Sequence, residues 1–217
     1  MTGGRSMRKN RSSIFIILIF LSVVFLSSTL AISQTVEHRE KAPNEGQPPQ
    51  KVMDAIGVKP GMVIGEVGAG RGRYTVHLAM RVGETGKIFA NDINERALGF
   101  LRERCERDGI ENVETVLGKV DDPLFPKGTL DMVIMVWVYH HLDKPIELMK
   151  NLIPSLKPGA TVVIIDPDPE VEGEKDSHRP TTKASVEQEV ENAGFELIRV
   201  ETFLPKDNIF ILRVKTM

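Results

Sequence analysis

Between Val63 and Tyr74 an apolar run ends in a carboxylate, Glu66, and passes directly into glycines at alternate positions: Gly68, Gly70 and Gly72, with Ala69 and Arg71 between them. Glycine lets a backbone approach a ligand closely. The helix start that follows near Tyr74 offers unpaired N–H groups and the positive end of a dipole. Together these form the mouth of a nucleotide-type site in an α/β sheet. A second carboxylate, Asp92, closes the next apolar run, about 20 residues on, the offset at which an acid accepts hydrogen bonds from ribose hydroxyls. Two carboxylate oxygens match two hydroxyls. The dinucleotide fingerprint G-x-G-x-x-G would put its third glycine at position 73, but Arg73 stands there and the glycine comes one residue early.

A second group of reactive types lies in Trp137-Val138-Tyr139-His140-His141-Leu142-Asp143. His140 is the candidate acid–base residue, because imidazole titrates near neutrality. Trp137 and Tyr139 are candidates for the wall of a pocket, with core packing as the competing role. Two adjacent histidines make no metal site without a third ligand in register, so no metal is expected. The run Asp166-Pro-Asp168-Pro-Glu170 could in principle hold a divalent cation but reads better as a solvated loop. The single cysteine, Cys105, excludes an intrachain disulfide and a cysteine-cluster zinc site, and its charged neighbours make it an inert helix residue.

Alternating strand-like and helix-like segments must position these groups, the pattern of a mostly parallel sheet covered on both faces. Strands are expected at 62–67, 87–91, 112–117, 130–136, 160–165, 195–203 and 208–214. Helices are expected at 50–56, from Tyr74 to Val82, from Asn94 to Arg107, from Pro145 to about Leu156, and at 182–193. Lys157-Pro-Gly159 reads as a turn, and Asp166–Pro180 as a loop. The stretch between the last two strands is too short for a crossover, so that pair must be antiparallel.

The motif Glu66-x-Gly68-x-Gly70-x-Gly72, with Asp92, Gly118-Lys119-Val120-Asp121 and Leu156-Lys-Pro-Gly159 in order, resembles class I S-adenosylmethionine-dependent methyltransferases of the small-molecule type. The resemblance spans roughly residues 47–214. It implies a Rossmann-like α/β fold: a seven-stranded sheet, mostly parallel with an antiparallel last strand, and helices on both faces. It also implies S-adenosyl-L-methionine as cofactor and a small-molecule acceptor as substrate. In cofactor binding it assigns the glycine loop (Gly68, Ala69, Gly70, Gly72), Asp92 to the ribose, Ile93 to the adenine face, and Val120 and Asp121 to the adenine edge. Glu66 would orient the loop amides and the cofactor's ammonium. Tyr139, His178 and Arg179 become candidates for substrate contact. Lys119 departs from the family pattern, which often has an acid there. Two other readings stay open: an NAD-dependent oxidoreductase on a similar sheet, and a non-catalytic S-adenosylmethionine-binding protein.

The 217 residues divide into a leader (1–33), a polar linker (34–49) and one domain (50–217). Of 28 basic residues, four precede Gln34 with no acid among them; the rest of the chain holds 24 basic against 30 acidic residues, a net charge of −6. So acidic a domain is a poor nucleic-acid binder. The apolar run Ile14–Ile32 is about bilayer-spanning in length, and Ala31-Ile-Ser33 has the form of a cleavage site. The leader is therefore expected to be a signal peptide or a membrane anchor, carrying the domain to the extracytoplasmic side under the positive-inside rule.

Overall fold

The computed structural model describes residues 38–172 and 181–215, so the apolar leader run lies outside the described residues. The chain divides into two compact units, 1–45 and 46–217. In the first, residues 38–45 are helical, although the composition reads as linker; Arg39, Glu40, Lys41 and Ala42 are all good helix formers.

The second unit holds helix α1 (Pro49–Ile56), strand β1 (Val63–Val67), α2 (Thr75–Val82), β2 (Lys87–Asp92), α3 (Glu95–Asp108), β3 (Val113–Leu117) and β4 (Leu130–Val136). These are followed by α4 (Pro145–Leu152), β5 (Leu156–Pro167), the one-turn α5 (Pro169–Glu172), α6 (Lys183–Asn192), β6 (Phe195–Glu201) and β7 (Asp207–Val214). The seven strands form one sheet in the order β3-β2-β1-β4-β5-β7-β6. β7 runs antiparallel to both its neighbours and is the single reversed strand. The fold class expected from the sequence is therefore the one observed.

Strand period explains how both faces are covered. On β4, Met132, Ile134 and Val136 pack into one core with residues of α1, α2 and α3; Val133 and Met135 pack into the other with residues of α4 and α6. β5 and β7 alternate in the same way, so the central strands are apolar on both sides and read as continuous hydrophobic runs.

Helix ends follow their capping residues. Asn94 accepts a hydrogen bond from the Ala97 amide at the start of α3, and Gly109 closes that helix in the left-handed region. Thr182 caps α6 through the Ser185 amide. Several boundaries differ from expectation: the stretch read as a loop from Asp166 holds the end of β5 and the helix α5, and β6 ends at Glu201 instead of 203. Lys157-Pro-Gly159 is not a free turn but part of β5, absorbed where the β4–β5 register shifts between Leu130 and Met132. The helix expected to reach Leu156 stops at Leu152 and tightens into a 3-10 turn at Ile153–Ser155, where Pro154 lacks the N–H to continue it. Among the described residues no helix is long and apolar enough to cross a membrane.

Candidate functional site

β1 lies between β2 and β4, so the strand order reverses beside it; ligands of open α/β sheets bind at such a switch point, outside the carboxyl ends of the strands. Glu66 and Val67 end β1 there and the glycine loop follows. Gly68 has φ +71°, and a Cβ on it would overlap the side chain of Val138. Gly72 has φ +84°, and a Cβ there would overlap Leu101 of α3. Both positions therefore require glycine, for conformation and for space.

The loop is tied to β2. The Ala69 amide donates to the Asn91 carbonyl at 2.8 Å, and the Gly70 amide to Asp92 Oδ2 at 2.8 Å. Asp92 Oδ1 accepts from the Asn94 amide at 2.9 Å. Asp92 thus fixes both the loop and the turn after β2, and each of its oxygens keeps lone-pair capacity for a further donor.

Beside it opens a cleft of about 290 Å³, lined by Val67, Gly68, Asp92, Ile93, Lys119 and Val120 on one side and by Val138, His141, Leu142 and Asp143 on the other. Ile93 and Val120 stand 61% and 42% exposed at its mouth. Apolar side chains offered to solvent around a carboxylate suit a flat base joined to a diol. Of the expected cofactor residues, Gly68, Asp92, Ile93 and Val120 line this cleft, with Ala69 and Gly70 tied to its β2 wall.

Two acids depart from expectation. Glu66 does not order the loop amides, which Asn91 and Asp92 hold; it is buried and accepts the Thr75 hydroxyl at 2.5 Å. Burial pushes its carboxyl up to about 7, against the Thr75 hydrogen bond and the Arg73 charge, with Asp92 adding to the rise. Asp121 turns to α4 instead of the cleft. Its side chain pairs with Lys144 at 3.1 Å and its carbonyl accepts from Asn151 at 2.8 Å; the Lys144 hydrogen bond holds its carboxyl below the usual carboxylate range. The Gly118–Pro123 segment is instead fastened by buried Asn91, whose amide donates to the carbonyls of Val116 (3.2 Å) and Pro123 (3.0 Å).

At the end of β4 the histidine turn is held from below. The His140 amide donates to Asp166 Oδ2 at 2.8 Å, and its ring Nδ1 lies 3.0 Å from Asp166 Oδ1. Asp166 is fully buried, not solvated as its acidic neighbourhood suggests. Since a carboxylate only accepts, the hydrogen of this bond sits on Nδ1, which in the neutral tautomer puts the ring's lone pair on Nε2. The His141 ring centroid lies 3.9 Å from that of His140, with the two rings tilted by 48°. Tyr139 is corrected: it is completely buried against α6, where its hydroxyl donates to Glu189 at 2.9 Å, because it falls on the inward side of a 3-10 turn. Trp137 stays partly exposed. His178 and Arg179 lie outside the described residues. Asp168 accepts the Glu170 amide, and among the described residues no group of three or more His, Cys, Asp or Glu could hold a metal ion.

Sequence reasoning missed Asp166, although its signal was the one that marked Asp92: an acid ending a buried strand. Asn91, Lys119, His141 and Asp143 were not assigned to the cleft either, since only the loops' meeting in space brings them there.

A family model described as a methyltransferase domain matches residues 64–159. The chain is 30% identical over 115 residues to the ubiquinone/menaquinone biosynthesis C-methyltransferase UbiE of Escherichia fergusonii, covering 52% of this chain and 46% of that protein. It thus spans about half the length of the curated relatives it matches. Among solved structures it is similar to a SAM-dependent methyltransferase from Aquifex aeolicus (TM-score 0.70, 29% identity, 77% of this chain and 89% of that one). It is also similar to a putative methyltransferase from Bacillus halodurans (TM-score 0.61, 25% identity, 70% and 71%).

Proposed function

We infer that this chain, whose residues 64–159 carry a methyltransferase domain, is an S-adenosylmethionine-dependent methyltransferase acting on a small-molecule acceptor. The observation that carries the reading is Asp92: a carboxylate already holding the glycine loop, with lone pairs left over, at the wall of an apolar cleft. The residues present fit the cofactor. Gly68, where Val138 takes the space a Cβ would need, presents bare backbone to the cleft, Ile93 and Val120 offer apolar surface to a base, and Asp92 offers acceptors to a diol.

When bound, S-adenosylmethionine supplies an electrophilic methyl group on a sulfonium. The chain's own part is alignment and proton handling. A glycine loop pinned by Asn91 and Asp92 beside an apolar cleft would hold the reacting groups in line, which is where most of the acceleration of a displacement comes from. His140, oriented by Asp166, would take the acceptor's proton at Nε2 if the acceptor is protonated at neutral pH.

Isothermal titration of the chain from Gln34 onward with S-adenosylhomocysteine tests the reading. Binding at micromolar concentrations is expected, and saturable NAD binding in its place would move the chain to the oxidoreductase class. Binding without turnover across a broad acceptor panel would make it a non-catalytic ligand-binding protein. The leader is assigned the role of bringing the domain to, or across, a membrane.

A further inference from the structure

Resting on the methyltransferase reading, we propose that Arg73 and Trp137 form a subsite for a flat, carboxylate-bearing acceptor, beside the glycine loop and separate from the adenosyl cleft. Neither residue lines that cleft. Arg73 follows the third glycine. Its guanidinium carbon lies 4.9 Å from the centroid of the Trp137 ring and 5.0 Å from that of Tyr74, and Nη2 donates to Gln47 Oε1 at 2.7 Å. Two aromatic faces and an amide thus fix a group that on most surfaces swings freely.

Trp137, the only tryptophan in the chain, is fixed as well. Its backbone sits at φ +57°, a region bulky side chains avoid. Its amide donates to the Ile165 carbonyl at 2.8 Å, and its indole N–H to buried Asp207 at 2.6 Å. A strained, doubly tethered aromatic that nevertheless keeps 37% of its surface exposed points to a binding role.

The chemistry of the cluster selects the ligand. Gln47 Nε2 and the Tyr74 hydroxyl are buried without a hydrogen-bond partner, and both are donors, as is Arg73. A cluster of donors around a planar guanidinium recognises a carboxylate, which matches its fork geometry. The exposed indole supplies the apolar plate for an attached ring. In a chain of net charge −6 from Gln34 onward, a cation held this firmly is a local provision and not general surface charge.

The intrinsic fluorescence of Trp137 reads the test without turnover. The full chain, saturated with S-adenosylhomocysteine, is titrated with 3,4-dihydroxybenzoate, with cyclohexanecarboxylate (acidic, not flat) and with catechol (flat, not acidic). Saturable quenching by 3,4-dihydroxybenzoate is expected, at a half-saturation at least tenfold below that of either control. Arg73→Gln should raise that half-saturation at least tenfold while leaving S-adenosylhomocysteine affinity within twofold. Arg73→Lys, which keeps the charge and loses the fork, should fall between, and circular dichroism checks that each variant folds. Equal half-saturation for the three probes, or no change in Arg73→Gln, overturns the inference. So does an Arg73→Gln variant that loses tenfold in affinity for S-adenosylhomocysteine but not for 5′-methylthioadenosine, since Arg73 would then serve the amino-acid end of the methyl donor. Failure of S-adenosylhomocysteine to bind the wild-type chain is a separate result, and it removes the methyltransferase reading together with the subsite.

Discussion

Three carboxylates close three strands of this sheet, and their surroundings give them different work. Asp92 is held by two backbone amides at the cleft and remains able to accept more. Asp92→Ala should weaken S-adenosylhomocysteine binding by about 1–3 kcal/mol, the worth of charge-assisted hydrogen bonds; unchanged calorimetric affinity would remove it from the site. Asp166 is fully buried under His140 and serves to orient it. Glu66 is buried with one hydroxyl partner and titrates near 7, against 4.5 for the free group. Between those values the folded state keeps a proton that the unfolded chain gives up, so stability should fall as pH rises from about 5 to 7.5. The loss is at most about 3 kcal/mol, at 1.4 kcal/mol for each pH unit of displacement. Urea denaturation at the two ends of this range should show the fall in wild type and a flattened profile in Glu66→Gln; parallel profiles would mean that Glu66 is ionised throughout.

Elements hold these residues through a few points where only one shape fits. Gly72 joins the loop to α3, and Gly72→Ala would meet Leu101 in a backbone region costing an alanine about 1–2 kcal/mol. Since the same loop carries the cleft floor, this variant should lose both stability and S-adenosylhomocysteine affinity; full retention of affinity would show that the loop and α3 adjust independently. At the opposite end of the sheet, Asp131 at the start of β4 accepts from the Val63 amide and from Lys157 Nζ, each at 2.8 Å, and so clamps β1, β4 and β5 together. Asp131→Ala should cost roughly 1–2 kcal/mol in chemical denaturation without altering ligand affinity, because it lies at the edge away from the cleft. Most elements were legible from periodicity and caps. The exceptions were places where neighbouring strands override local propensity. Lys157-Pro-Gly159 carries strong turn residues, yet β4 pairs with the strand that contains them.

For the molecule as a whole, a ligand that binds only the folded state must stabilise it: about 2.7 kcal/mol is expected at a free concentration 100 times Kd. S-adenosylhomocysteine should therefore raise the thermal midpoint of the chain from Gln34 onward, and the Asp92→Ala variant should gain less at the same concentration. The leader calls for a test in cells. Protease accessibility of a C-terminally tagged full chain should show the domain on the extracytoplasmic side, and protection until the membrane is opened would refute that placement. What the sequence determined alone was what local pattern and chain order can encode: seven strands with one reversed, a glycine loop, and acids at strand ends. These are short-range properties, since apolar period fixes an element and glycine fixes a turn. Tertiary structure decided which acids face the cleft. Asp121 and Asp92 both follow apolar strands, but Lys144, the residue before α4, takes up one while the glycine loop engages the other. Tyr139 and Trp137 are two residues apart, and only the packing of α6 and β7 sends one into the core and leaves the other at the surface. Contacts made across roughly 50 or more residues of chain have no local signature, because the free energy that selects them resides in the partner and not in the segment.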